Sequence, residues 1–288
     1  FVGVDNEDVP TRGGIFLSEL VLSPSLQKLA GIGDAVQGFG DLAADQRNLS
    51  RIGEALSFDG RYIAYWGAVG SATRSVTLQC PADGNADIRA ACVAQDTNGT
   101  AKDGIYTFDV ARDQGIFLLD TLAAGGPVTT LLARTGTGPG DFADFTYWGF
   151  SGHPPGVGGG DEPTDGEPPR WRSTQFLAVD DGRVAFKGST NDGRFGLYLD
   201  AGTGPLFALA RQGDDGGLLD PDASGMAITA LGIERDGFRN GWLAISSSMT
   251  DGENSMAGVY ITQVPSPGAL GLLAAGVPML LWRRRRAR

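Results

Sequence analysis

The chain has 288 residues, a formal net charge of −11 and 41% hydrophobic residues, enough length and apolar content for a sizeable core and too much for wholesale disorder. Five arginines occupy the last six positions, so the rest of the chain is more acidic still; such a body repels phosphate backbones, which speaks against nucleic acid as a partner. Glycine, at 45 residues and without a three-residue period, excludes collagen and supplies the many tight turns that short strands need.

The chain opens on Phe1-Val2-Gly3-Val4, with no initiator Met, basic segment or apolar leader, and reads as a fragment or a trimmed product. Gly14-Ile15-Phe16 begins a phrase (glycine, aliphatic, aromatic) that returns at Gly104-Ile105-Tyr106, Gly196-Leu197-Tyr198 and Gly258-Val259-Tyr260. A glycine turn leading into an apolar strand recurs at Gly60-Arg61-Tyr62-Ile63-Ala64-Tyr65, Gly182-Arg183-Val184-Ala185-Phe186 and Gly241-Trp242-Leu243-Ala244-Ile245. A third phrase closes three copies, at Ala30-Gly31-Ile32-Gly33-Asp34, Ala133-Arg134-Thr135-Gly136-Thr137 and Ala210-Arg211-Gln212-Gly213-Asp214. The clearest copy runs from Gln175 to Asp215. Four short antiparallel strands per unit of about 40 residues predict an all-β, propeller-like repeat domain over residues 1–262. With two full and two partial copies, ring closure is left open.

Two insertions interrupt the repeat, at 67–102 and at 152–170. The first carries Cys80 and Cys92, the only cysteines; with no histidine or second cysteine pair nearby they do not suggest zinc. They read as one local disulfide or as two separate thiols, the disulfide being favoured because the C-terminal tail argues for export. The second is rich in Pro and Gly and holds His153, the only histidine. A base on such a loop is poorly oriented for triad catalysis, and no phosphate loop, dinucleotide fingerprint or HExxH is present. The adjacent acids Asp180 and Asp181 read as turn residues rather than as a glycosidase pair. Asp214, Asp215, Asp220 and Asp222 offer oxygens within nine residues, a weak candidate site for calcium, without the spacing of an EF-hand. The aromatics Tyr65, Trp66, Tyr147, Trp148 and Trp171 read as core unless exposed, where they could stack on sugars. No cofactor is expected, and no enzymatic activity.

The tail, residues 263–288, contains an apolar run from Gly268 to Trp282 followed at once by Arg283, Arg284, Arg285 and Arg286. It predicts a C-terminal transmembrane helix with a basic stop on the cytoplasmic side. With Val264-Pro265-Ser266-Pro267 ahead of it, the tail resembles the PEP-CTERM sorting domain, with Ser266 where that family has Glu. The resemblance implies an exosortase as processing partner, an inner-membrane-anchored precursor in a Gram-negative bacterium, and delivery to the cell surface or medium among exopolysaccharide.

The repeat, over Gly14 to Thr262, resembles bacterial tandem-repeat proteins with an N-x-x-G-x-x-A-F motif. Gly182 to Phe186 carry its second half, and Val179 stands at the Asn position. The resemblance implies an exported β-repeat protein without an assigned activity. The functional expectation is a membrane-anchored, non-enzymatic scaffold or binding protein linked to the exopolysaccharide matrix. The alternatives are a secreted carbohydrate-active hydrolase on a propeller-like fold and a calcium-stabilised adhesion module.

Overall fold

The computed structural model describes residues 1–5, 10–19, 21–23, 25–82, 85–96, 102–152, 169–202 and 204–264. In chain order the strands are β1 (Val2–Val4), β2 (Gly13–Ser18), β3 (Leu26–Gly31), β4 (Leu49–Phe58), β5 (Tyr62–Val69), β6 (Thr73–Gln79), β7 (Ile105–Ala111), β8 (Gln114–Asp120), β9 (Val128–Arg134) and β10 (Phe142–Asp144). There follow β11 (Thr146–Ser151), β12 (Arg170–Gln175), β13 (Leu177–Asp180), β14 (Arg183–Thr190), β15 (Phe195–Asp200), β16 (Phe207–Arg211), β17 (Ala227–Gly232), β18 (Phe238–Arg239), β19 (Trp242–Thr250) and β20 (Ser255–Gln263). One α-helix, α1 (Ala86–Gln95), stands among them.

The chain forms two compact units, one of residues 1–71, 113–145 and 175 onward, the other of 72–112 and 146–174. The larger unit holds four antiparallel sheets. They run β1-β2-β3; β4-β5-β8-β9; β14 flanked by β10 and β13 on one edge, then β15 and β16; and β19 flanked by β17 and β18 on one edge and by β20 on the other. One core cluster gathers Ile15, Phe39, Leu49, Tyr65 and Phe117 from the first two sheets, and a second gathers Ala185, Leu197, Ile228, Phe238 and Leu243 from the last two.

The repeat is visible in register. In three sheets the glycine-aliphatic phrase pairs with the Leu-Ala phrase in the same way: Gly14 opposite Gly31 and Ile15 opposite Ala30; Gly115 opposite Arg134 and Ile116 opposite Ala133; Gly196 opposite Arg211 and Leu197 opposite Ala210. Directly after each pair the register slips by one residue, leaving Leu29, Leu132 or Leu209 as a bulge. The aromatic two positions after the glycine explains the phrase. A Cβ on Gly115 would lie 2.8 Å from the Phe117 ring, and one on Gly196 would lie 3.1 Å from the Tyr198 ring. The second copy therefore takes its third strand from Gly115-Ile116-Phe117. Gly104-Ile105-Tyr106, the phrase expected there, opens a strand of the smaller unit.

Two Asp-Gly-type hairpins join first to second strands. Asp181 and Gly182 have φ of 51° and 73°, Asn240 and Gly241 53° and 79°, the successive positive values that a two-residue type I′ turn requires and that Asp-Gly and Asn-Gly accept at least cost.

The smaller unit takes in most of the first insertion and the chain on either side of the second. The ribbon β6-β7 presents Val76, Leu78, Tyr106 and Phe108 on one face, and the ribbon β11-β12 contributes Trp148, Phe150 and Trp171. Phe108 stacks on Trp148 at 5.8 Å and Trp171 meets Tyr106, Phe108 and Phe150 edge-on. Cys80 and Cys92 are joined by a disulfide. It ties the end of β6 to α1, whose N-terminus is capped by the Asn85 side chain.

Two expectations are corrected. The propeller-like architecture is not formed: the sheets are not closed into a propeller, and no pairing joins β20 to the sheet of β1–β3 among the described strands. No described helix is long and apolar enough to cross a membrane. The only α-helix among the described residues has ten residues, about 15 Å, half the thickness of a hydrocarbon core. The segment expected to form the transmembrane helix, Gly268 to Trp282, lies outside the described residues. The expectations built on that helix, namely exosortase partnership, membrane attachment, an inner-membrane-anchored precursor and an anchored matrix scaffold, are therefore corrected to an all-β, multi-sheet domain in which no described helix supports them.

Candidate functional site

The first strands of three sheets meet at their turn ends, where polar residues concentrate. Ser57, fully buried, donates its hydroxyl to the Arg235 carbonyl at 2.7 Å and accepts the Val179 amide at 3.0 Å. The Arg239 guanidinium donates to the Val179 and Phe58 carbonyls and pairs with Asp236 at 2.7 Å. Asp59 accepts the amides of Arg61 and Tyr62 in its own turn and that of Asp181 in the next copy, at 2.7 to 2.9 Å. Asp180 does the same one copy further on, accepting the amides of Asn240 at 3.0 Å and Gly241 at 2.7 Å. Each turn aspartate thus caps the turn of the following copy.

Asp180 also receives the buried Arg183 at 2.6 Å, and Arg183 donates onward to the Val264 carbonyl at 3.0 Å. Nearby, Lys187 is buried. Its ammonium donates to the Leu231 carbonyl at 2.8 Å and lies 5.0 Å from the Phe176 ring centre, and burial pushes its pKa below the ordinary lysine value. Tyr65, enclosed in the core, is pushed up to about 12 by burial.

The sequence-predicted residues fall as follows. Asp180 and Asp181 serve the turn network. Asp214 accepts the Arg211 amide, Asp215 those of Gly217 and Gly225, and Asp220 that of Asp222; no group of three or more acidic, His or Cys side chains able to hold a metal occurs among the described residues. Val264 is buried, and its amide donates to Gly241 at 2.7 Å, so it belongs to the fold. His153, Pro265, Ser266, Pro267 and Arg283 to Arg286 lie outside the described residues. Tyr65 and Trp66 are core, whereas Tyr147 is exposed. Ser57 and Lys187 were not legible as site residues, because nothing local marks a lone Ser or Lys in an apolar strand as buried.

The second notable place is the outer edge of the fourth sheet. In three sheets the aliphatic residue of the repeated phrase is core: Ile15, Ile116 and Leu197 are 0%, 1% and 0% exposed. Its counterpart Val259 is 70% exposed, because it stands opposite Ser246 on the sheet face away from the core that Ile245 and Tyr260 join; β20 pairs with β19 alone among the described strands. Ile261 and Trp242, on the same face, are also exposed. The outer strands of the other sheets carry a cation each, Lys28, Arg134 and Arg211, and the Leu bulge, two devices that blunt an edge against further pairing. β20 has neither: its nine residues are uncharged, free of proline and in unbroken register with β19.

No family model, curated protein or solved structure matches the chain.

Proposed function

We propose that the chain is a non-enzymatic assembly module that works by strand addition, taking up an extended segment against β20. The observation that carries the reading is the edge of β20, the outermost described strand of its sheet, uncharged and in unbroken register where the outer strands of the three sister sheets end on a cation and a bulge. Backbone pairing would supply affinity, and alternate side chains on the exposed face specificity. The turn carboxylates support the non-enzymatic part. Asp59, Asp180 and Asp215 accept backbone amides, so these three carboxylates shape turns and are not themselves poised for acid–base work.

The sister sheets supply the probe. A labelled peptide copying Leu206–Gln212, which spans the outer strand of the third sheet, should bind saturably, a scrambled peptide should not, and Val259→Lys should weaken binding at least tenfold. Absence of binding, or binding that ignores Val259→Lys, overturns the reading.

A further inference from the structure

Resting on the strand-addition reading, we infer that the segment received by β20 is β20 of a second copy of this chain, in an antiparallel pair about a twofold axis at Val259.

The strand is self-complementary in that arrangement. With Val259 opposite its own counterpart, Ala257 faces Ile261 and Ser255 faces Gln263, on the face that the β19 pairing leaves exposed. The centre is apolar and the ends are polar. No like charges meet, because the strand has none, and that matters in a chain of net charge −11, where a charged edge would bring acidic surfaces together without compensation. The straight register with β19 keeps all nine residues available, whereas the bulged outer strands of the other sheets interrupt theirs.

The pairing also closes. The other edge of β19 is occupied by β17 and β18, so two fourth sheets joined through β20 form one continuous sheet and present no second copy of the same edge. An isologous contact of this kind stops at the dimer. The sheet faces carrying Val259, Ile261 and Trp242 then lie side by side across the axis, merging two small exposed apolar patches into one.

The test is the mass of the full chain by light scattering or sedimentation over a concentration series, with and without the Leu206–Gln212 peptide. The expected result is a concentration-dependent dimer and nothing larger. Rising salt should strengthen it as acidic repulsion is screened, the peptide should convert it to monomer, and Val259→Lys should abolish it without lowering the melting temperature. A chain that stays monomeric yet binds the peptide overturns the second-copy inference and leaves strand addition standing. A monomer that binds no peptide overturns both. A dimer that survives Val259→Lys, or growth beyond the dimer, places the contact elsewhere and overturns the inference.

Discussion

The third and fourth sheets are built from the same phrases and end differently. In the third, Leu197 is buried in the core with Ala210 opposite it in β16, and that outermost strand carries Arg211 and the Leu209 bulge. In the fourth, Gly258-Val259-Tyr260 repeats the pattern on the outermost described strand, and Val259 stands in solvent. One sequence pattern therefore gives a core residue in one copy and a surface residue in the other. What differs is the face: Leu197 stands opposite the buried Lys187, Val259 opposite the exposed Ser246. An edge that ends on a cation and a bulge is finished; one that ends on nine uncharged residues in straight register is open to pairing.

The comparison can be broken most forcefully at the turn that joins the two sheets. Asp180→Ala removes the carboxylate of the buried Arg183 and the acceptor for Asn240 and Gly241, and should cost about 3–5 kcal/mol in urea unfolding; a cost under about 1 kcal/mol would show that the clamp between the copies is idle. The aliphatic position itself is next. Leu197→Ala should cost about 2–5 kcal/mol as a buried truncation, while Val259→Ala should stay within about 0.5 kcal/mol as a surface change. Equal losses at the two positions would mean that Val259 is covered in solution.

Lys187 sharpens the comparison through pH. Its pKa is lowered in the folded chain, so between that value and the model-peptide value of 10.5 the unfolded chain binds the proton more tightly and stability rises with pH. In Lys187→Met that rise should be absent, as read by urea midpoints at a series of alkaline pH values. The smallest effect belongs to the exposed turn end of the second sheet: Asp120→Asn loosens the Arg61–Asp120 pair at 2.7 Å and should lower the urea midpoint only slightly, and less at high salt.

Much of the repeat was legible in the sequence, because glycine, turn acids and aromatics act through their nearest neighbours. Asp181-Gly182 and Asn240-Gly241 form the turns that their residue types favour, whereas the Leu bulge before each Ala-Gly or Ala-Arg was seen only in the pairing. The third strand of the second copy was misplaced because Gly104-Ile105-Tyr106 has the same local form as Gly115-Ile116-Phe117. Only pairing separates them: Gly104 packs on Cys80, whereas Gly115 packs under the Phe117 ring. The strands that flank the two insertions, β7, β11 and β12, join in one unit through the rings of Phe108, Trp148 and Trp171, contacts between segments far apart in the chain.

The sequence by itself determined that this is a glycine-rich antiparallel β-repeat with capped turns, since turn geometry and strand alternation depend on residues a few positions apart. The tertiary structure alone decided that the sheets do not close into a propeller, that Ser57 and Lys187 are buried, that Val264 belongs to the fold, and that the same aliphatic position is core in three copies and exposed in the fourth. Burial is a property of what arrives from elsewhere in the chain, and no local pattern records it.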